Sequence, residues 1–245
     1  MSPTPQVLSR DEDFLVVNKP AGLSTTSPDG LNCLAWEVAQ RLDRGARHAH
    51  PSSRLDREVT GIVIFARSDR GIQHLLEARK RERYRRTYLA LVTPPPEASD
   101  GRWTWRIAID PRDRRLRMAL DEGQSGERAQ DASSGFEVLA SVAGVALLAV
   151  RPETGRTHQI RVHAKQSGSP IVGDTSYGGV GRVTLSDGRV IHAPRVMLHC
   201  RQVIIPKIAL GSDEEQTFLA EVPDDFREVW RRAGGEASLL DRSPA

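Results

Sequence analysis

Lysine is scarce in this chain of 245 residues, because only four of its 35 basic residues are lysines and the others are arginines. Arginine binds phosphates through paired hydrogen bonds and stacks on nucleobases, so this bias suits an RNA partner. A coding bias toward arginine in a GC-rich genome would give the same composition. The shortage of lysine alone therefore does not identify a function.

Cysteines and long apolar runs are also few. Cys33 and Cys200 lie far apart in the sequence and follow no metal-ligand spacing, which indicates reduced, buried thiols. The first residues, MSPTPQVLSRDEDF, lack the apolar core of a signal peptide. No apolar run reaches the roughly 18 residues that a membrane helix needs. We therefore predict a cytoplasmic protein that does not associate with membranes.

The remaining composition is ordinary for a globular protein, with 38% hydrophobic and 27% charged residues. The length favours one large mixed domain. We predict a flexible N-terminus at residues 1–10, one folded domain at 11–233 and a flexible tail at 234–245.

Hydrophobic periodicity predicts many short strands and a few helices. Strands are predicted at residues 14–18, 62–66, 84–92, 103–109, 136–139, 145–150, 196–205 and 217–222. Helices are predicted at residues 31–42, 69–82, 157–166 and 224–232. This pattern is typical of an α+β domain.

Two arginine-rich stretches occur at residues 79–86 (RKRERYRR) and 112–117 (RDRRLR). Such clusters can neutralise RNA phosphates, although a solvated charged surface has the same pattern. Because both stretches occur in one chain with the motifs below, we favour a nucleic-acid partner.

A candidate catalytic carboxylate lies in the sequence Ser53-Arg54-Leu55-Asp56-Arg57-Glu58-Val59-Thr60-Gly61, called the Asp56 segment below. It leads directly into an apolar run at 62–66, so the fold can hold Asp56 rigidly. The arginines on both sides favour an ionised carboxylate. Taken alone, the pattern also fits a surface ion pair.

A second polar segment covers residues 151–163 and is followed by glycine-rich turns at 173–174 and 177–179. Its two histidines, His158 and His163, are five residues apart and do not share a helix face. We therefore predict no metal site here.

Together these segments resemble the RluA family of pseudouridine synthases. The family motif His-Arg-Leu-Asp-x-x-Thr-Ser-Gly is matched by residues 53–61, and its tyrosine-bearing strand by 86–92. The motif Thr-Gly-Arg-x-His-Gln-Ile-Arg-x-His is reproduced in full at 154–163, and the turns at 170–174 and 177–178 follow in the family order. The resemblance runs from residue 13 to residue 199, about three quarters of the chain.

The resemblance implies an RNA pseudouridine synthase with a mixed, largely antiparallel sheet, flanking helices and a central basic cleft. It implies isomerisation of specific uridines in structured rRNA or tRNA without a metal or organic cofactor. In the same way, Asp56 would be the catalytic aspartate, acting as a nucleophile or a base. Tyr88 would stack near the base, and Arg161 would pair with the aspartate. Without the resemblance, Tyr88 could be a core aromatic and Arg161 a helix-surface arginine.

The predicted RNA-binding residues lie in the same motifs. They are Arg54, Arg57, Arg156, His158 and Gln159. We also expect His158 to shape its loop by hydrogen bonding rather than to react. Only about ten residues precede the first motif, so we expect no appended N-terminal RNA-binding domain, and a monomer. Substrate choice would then depend on insertions such as residues 178–194.

The Asp56 segment departs from the family motif at three positions. Ser53 replaces a histidine, Val59 a threonine and Thr60 a serine. These departures allow a rival interpretation, a non-catalytic RNA-binding protein that kept the fold. The retained Asp56, Tyr88 and Arg161 argue against it. A serine hydrolase is disfavoured because the chain lacks a Gly-x-Ser-x-Gly elbow.

Overall fold

A computed structural model describes residues 4–44, 49–208 and 214–242. The contacts divide the chain into two compact units, Met1–Arg86 with His199–Glu221, and Thr87–Leu198 with Val222–Ala245. Residues 1–3 and 243–245 of the two predicted flexible ends lie outside the described ranges.

Strands predominate in both units. Along the described ranges they are β1 (Gln6–Arg10), β2 (Phe14–Lys19), β3 (His50–Pro51), β4 (Thr60–Ala66), β5 (Arg85–Val92), β6 (Asp100–Trp103), β7 (Arg106–Ile109), β8 (Arg117–Leu120), β9 (Ser134–Val142), β10 (Val145–Pro152), β11 (Arg182–Thr184), β12 (Val190–His192), β13 (Leu198–Pro206) and β14 (Glu215–Leu219). The α-helices are α1 (Leu34–Glu37), α2 (Asp69–Lys80), α3 (Gln159–Gln166), α4 (Asp224–Ala233) and α5 (Ser238–Asp241). A π-helical turn, Val38–Leu42, continues α1, and a 3-10 turn covers Thr175–Tyr177.

The centre of the first unit is β4, which is buried along its whole length. It pairs antiparallel with β2 and β3, and parallel with β13 through His199 and Cys200. The antiparallel pairs β1–β2 and β13–β14 extend this arrangement. The run at 62–66 is apolar throughout because both faces of β4 are covered.

In the second unit, β10 lies between β5 and β9, and β6 pairs with the other edge of β9. All of these pairs are antiparallel. The β9–β10 hairpin turns at Ala143 and Gly144, which both have positive φ, as a tight hairpin turn requires. Two further hairpins, β7–β8 and β11–β12, complete the strands of this unit.

The predicted α+β class with a mixed, largely antiparallel sheet is confirmed, and the predicted helices lie within a few residues of their observed positions. The strand predicted at 103–109 is wrong in one respect, since it is divided into β6 and β7. The short strands β8, β11 and β12 were not predicted. Regular elements also form inside both predicted flexible ends, namely β1 and α5. No helix in the described part of the chain is long and apolar enough to cross a membrane.

The contact between β4 and β13 gives a test of this packing. Gly61 has φ +116°, and a Cβ added there would lie 2.2 Å from the carbonyl oxygen of Cys200. We expect Gly61→Ala to lower the free energy of unfolding by more than about 3 kcal/mol, since it combines backbone strain with a clash against backbone. Gly30→Ala is the matched control, because Gly30 has φ +71° but nothing within 4 Å of its Cβ position. Its cost should be about 1–2 kcal/mol. Equal losses in urea unfolding would contradict the proposed close approach.

Candidate active site

Asp56 lies in the turn between β3 and β4, and its side chain is half-buried. The amide of Val59 donates to the Asp56 carbonyl at 3.1 Å and closes the turn. Arg54 and Arg57 on either side are exposed. Arg54 has no hydrogen-bond or ion-pair partner within the described ranges, so its guanidinium is available to a ligand.

A buried lysine fixes the chain directly after Asp56. Lys19 is 0% exposed, and its ammonium donates to the carbonyls of Pro20 at 2.8 Å, Leu23 at 2.7 Å and Arg57 at 3.2 Å. The amide of Gly22 donates to the same Arg57 carbonyl at 2.9 Å. A buried charge is costly unless it is fully hydrogen-bonded, and these carbonyls meet that need. The Lys19 ammonium and the Gly22 amide therefore set the position of residue 57.

A buried threonine fixes the chain directly before Asp56. The Thr25 hydroxyl accepts a hydrogen bond from the Leu55 amide and donates one to the Leu55 carbonyl, both at 2.9 Å. Thr25 is 1% exposed and Leu55 is 5% exposed. Asp56 is thus held between two residues whose backbones are bound to buried side chains.

The three departures from the family motif have different environments. Val59 is buried, and the Thr60 hydroxyl lies 2.9 Å from Nδ1 of the buried His199. Nε2 of His199 faces the Ala220 carbonyl, so Nδ1 can accept from Thr60, as it could from the family's serine. Ser53 is also buried, and its hydroxyl faces the Tyr84 hydroxyl at 3.5 Å.

In the second unit, Arg161 forms a buried ion pair with Asp174. Nε donates to Oδ2 at 2.7 Å and Nη2 to Oδ1 at 2.8 Å. Arg161 is 8% exposed and Asp174 is 1% exposed. The Arg161 guanidinium carbon also lies 4.8 Å from the ring centre of Tyr177, a cation–π distance. The carboxylate and the ring together fix the orientation of the guanidinium.

Tyr177 links this pair to His158. Its hydroxyl accepts from the Arg117 amide at 2.9 Å and lies 2.6 Å from Nδ1 of His158. His158 has a left-handed backbone, φ 58°, directly before α3. We call Arg161, Asp174, Tyr177 and His158 the Arg161 cluster. The hydrogen bond of His158 agrees with its expected role in shaping the loop, while its RNA contact stays a prediction.

Gln159 has an internal role. Its amide oxygen accepts from the Thr154 hydroxyl at 2.7 Å and from the Arg156 amide at 2.9 Å. Its amide nitrogen donates to Ser133 O at 2.9 Å and to Ser134 Oγ at 2.8 Å. These bonds use both amide hydrogens, and the side chain is buried. The structure therefore favours a positioning role for Gln159 over the predicted RNA contact.

The bonds of Gln159 continue to His163, which is 0% exposed. Nε2 of His163 faces the Trp105 carbonyl at 3.0 Å, so it must carry the hydrogen, and Nδ1 is left to accept from Ser134 Oγ at 3.2 Å. Burial lowers the pKa of His163, and the hydrogen bond to Trp105 raises it by less. The ring is thus neutral and part of the core.

Two more predicted residues lie in this unit. Tyr88 is 5% exposed on β5, where its backbone pairs with Val150 of β10. Arg156 is half-buried, and its Nε donates to the Asp131 carbonyl at 2.9 Å.

Many arginines of the two basic stretches are paired with carboxylates. In the stretch 112–117, Arg114 binds Glu127 through two hydrogen bonds of 2.6 Å, and Arg115 binds Asp113. Hydrogen bonds from Arg115 lower the pKa of Asp113 to about 2. In the stretch 79–86, Arg85 pairs with Glu215. These pairs are exposed and weak, so phosphates can replace the carboxylates.

A sequence profile of the family described as RNA pseudouridylate synthase matches residues 13–166, which include Asp56, Tyr88 and Arg161. The chain belongs to the RNA pseudouridylate synthase family. The predicted family and the predicted enzyme class are both confirmed.

Related proteins and structures carry the same family name. An uncharacterized RNA pseudouridine synthase of Zymomonas mobilis is 32% identical over 89% of this chain and 93% of its own length. Ribosomal large subunit pseudouridine synthase C of Haemophilus influenzae is 31% identical over 71% of this chain, and the match spans 52% of that protein. The solved structure of human RNA pseudouridylate synthase domain containing 1 is 26% identical, with a TM-score of 0.69 over 91% of this chain and 86% of that one.

The predicted site residues of this pseudouridine synthase are divided between the two units. Arg54, Asp56 and Arg57 belong to the first unit. The second unit contains Tyr88, Arg156, His158, Gln159 and Arg161. The ion pair of Asp56 with Arg161 stays a prediction, as do the catalytic roles. No role was predicted from the sequence for Lys19, Tyr84, Asp174 or Tyr177, although Asp174 and Tyr177 lie in the family turns at 170–174 and 177–178.

The buried ion pair should be important for stability. Asp174→Asn keeps the shape of the side chain but leaves the charge of Arg161 without its carboxylate. We expect the free energy of unfolding to fall by about 3–5 kcal/mol in urea titrations. Asp187→Asn is the control, because Asp187 binds Arg189 at 2.7 Å while both side chains are about half exposed. Its effect should be much smaller, since water screens the pair. Similar losses in the two variants would contradict the buried character of the Arg161 pair.

His163 should make stability depend on pH. Its pKa is lowered in the folded state, so below about pH 6.5 the unfolded chain binds a proton that the folded chain does not. The free energy of unfolding should therefore fall with decreasing pH, by up to about 1.4 kcal/mol per pH unit from this residue. Urea titrations between about pH 7.5 and pH 5.5 would measure the slope. His163→Gln should reduce it, whereas His192→Gln, at an exposed histidine, should not. An unchanged slope in His163→Gln would refute this assignment.

Proposed function

We propose that this pseudouridine synthase isomerises specific uridines in structured ribosomal or transfer RNA, with Asp56 as the catalytic carboxylate. The observation that carries the proposal is the environment of the Asp56 segment. Buried side chains fix the backbone on both sides of Asp56, while Asp56 itself is only partly buried. A catalytic group needs this combination of a fixed position and access to the substrate.

The chemistry requires only acid–base or nucleophilic steps. The bond between N1 of uracil and C1′ of the ribose breaks, and a bond between C5 and C1′ forms. C5 loses its proton and N1 gains one, so the product is an isomer and no electrons are exchanged with another molecule. A carboxylate can act as the nucleophile or as the base. The reaction therefore proceeds with no metal or organic cofactor in this proposal.

Arg161 and Tyr88 assist Asp56 in this mechanism. In this proposal Arg161 pairs with the carboxylate of Asp56 and stabilises its negative charge. Asp174 holds the guanidinium of Arg161 through Nε and Nη2, so its orientation is fixed. Tyr88 offers a flat face on which the uracil can stack after it leaves the RNA helix.

RNA binding would depend on exposed arginines near the catalytic motifs. Extruding a base costs a few kcal/mol, which contacts with phosphates can offset. Arg54 is the best supported of these residues because it is exposed and has no partner in the described chain. Arg57, Arg156 and His158 are the other contacts that we propose. Gln159 instead orders the loop that presents Arg156.

Ribosomal RNA is the favoured substrate, since the name of the Haemophilus influenzae relative refers to the large ribosomal subunit. This chain covers only about half of that relative, so the substrate is a proposal here. Transfer RNA is the alternative, and the enzyme would act as a monomer.

Mapping of pseudouridines in total RNA would test both the activity and the target. A strain that lacks this gene should lose one or more pseudouridines, and the wild-type gene should restore them. Asp56→Asn should not, because the amide can neither attack nor accept a proton. We expect its activity to fall below detection, a loss of more than about 5 kcal/mol in transition-state stabilisation.

Glu58→Gln is the matched control, since Glu58 is an exposed carboxylate in the same segment. It should restore the missing pseudouridines. Modified sites in ribosomal RNA would support the favoured substrate, and sites in transfer RNA would select the alternative. Restoration by Asp56→Asn would refute the proposed mechanism.

A further inference from the structure

Tyr84 lies beside the start of the Asp56 segment. Its hydroxyl is 2.8 Å from Ser52 Oγ and 3.5 Å from Ser53 Oγ, and the residue is 9% exposed. Its ring is bordered by two guanidinium groups, with Arg79 at 4.8 Å and Arg86 at 5.9 Å from the ring centre. The ring position is therefore defined by packing and cation–π contacts, and the hydroxyl has a fixed place.

Ser52 and Ser53 connect Tyr84 to Asp56. The Ser52 amide donates to the Ile64 carbonyl of β4 at 2.7 Å. Ser53 is buried, and it occupies the position at which the family motif has a histidine. A serine side chain is too short to replace an imidazole in volume or in reach. The Tyr84 hydroxyl supplies a polar group 3.5 Å beyond the Ser53 hydroxyl.

We propose that Tyr84 is a positioning residue for Asp56, and that the Ser53–Tyr84 pair replaces the histidine of the family motif. This inference rests on the proposed catalytic role of Asp56. The Tyr84 hydroxyl holds Ser52 through a hydrogen bond of 2.8 Å and lies 3.5 Å from Ser53 Oγ, three to four residues before the carboxylate. Thr25 fixes Leu55 and Lys19 fixes residue 57, so the contact with Tyr84 completes the support of the segment on its N-terminal side.

The pair also makes residues 53 and 84 mutually dependent. An imidazole at residue 53 would need space and hydrogen-bond partners that the Tyr84 phenol already uses. Such overpacking shifts the backbone. A displacement of about 1 Å at a reacting group can cost about a hundredfold in rate. Restoring the family residue alone should therefore harm this enzyme.

The first test is Tyr84→Phe, which keeps the ring between Arg79 and Arg86 and removes only the hydroxyl. With purified protein and ribosomal RNA isolated from the strain that lacks this gene, we expect kcat to fall about tenfold and KM to change less than about twofold. Thr93→Val is the control, because it removes a hydroxyl that donates to the Gly144 carbonyl at 2.9 Å. It should leave kcat unchanged. Circular dichroism and thermal unfolding would confirm that both variants are folded at the assay temperature.

The second test is a double-mutant cycle. Ser53→His alone should lower kcat at least about tenfold, whereas Ser53→His combined with Tyr84→Val should recover to within about threefold of wild type. A residue with a purely structural role would lower the melting temperature without this recovery of kcat. The cycle is informative even if Tyr84→Val alone is unstable, because Tyr84→Phe tests the hydroxyl separately.

The outcomes separate this inference from the proposed function. Wild-type kcat in Tyr84→Phe, or wild-type kcat in Ser53→His, would overturn the positioning role while Asp56→Asn stayed inactive. Activity in Asp56→Asn would instead remove the proposed function on which the inference rests. A fall in kcat for Tyr84→Phe together with recovery in the double variant would support the inference.

Discussion

The position of the Asp56 segment depends on the hydrogen bonds that the buried ammonium of Lys19 donates. Lys19 has no exposed surface, and its ammonium binds carbonyls from its own turn and from residue 57. Backbone carbonyls are neutral, so their hydrogen bonds to the ammonium add no negative charge beside Asp56. A neutral side chain at this position would remove one donor from each of three carbonyls and would weaken the hold on the chain that follows Asp56.

Arginine has two distinct structural uses in this protein. Buried arginines such as Arg161 are held by a carboxylate and an aromatic ring, and their direction is fixed. Surface arginines such as Arg114 and Arg115 bind nearby carboxylates in exposed pairs. The abundance of arginine therefore reflects the internal construction of the enzyme as well as any affinity for RNA. Composition could not separate these uses because both need the same side chain.

Secondary structure was predicted most accurately from the sequence where a buried element is a continuous run of apolar residues. The apolar run at 62–66 identified β4, and the motif at 154–163 identified the start of α3. Alternation from 103 to 109 concealed a break, because the pattern continues through two residues that leave the strand. The strands β1 and β8 contain only five and four residues, too few to establish an alternating pattern.

Roles that depend on distant contacts were beyond the sequence. The partner of Lys19 at residue 57 is 38 positions away, and Ser52 lies 32 positions from Tyr84. Asp174 was part of a quoted motif, but its bond to Arg161 required the fold. The motifs identified the reactive and charged side chains. The residues that hold those side chains in place became apparent only in the folded structure.

The parallel pairing of β4 with β13 has a consequence for synthesis of the enzyme. Thr60 and His199 are 139 positions apart, and the whole stretch Thr87–Leu198 lies between the two parts of the first unit. The ribosome must therefore translate Thr87–Leu198 before β13 exists and can pair with β4. A nascent chain that already carries Asp56, Tyr88 and Arg161 still lacks the strand that supports the Asp56 segment. Completion of the candidate site thus waits until translation has passed residue 200.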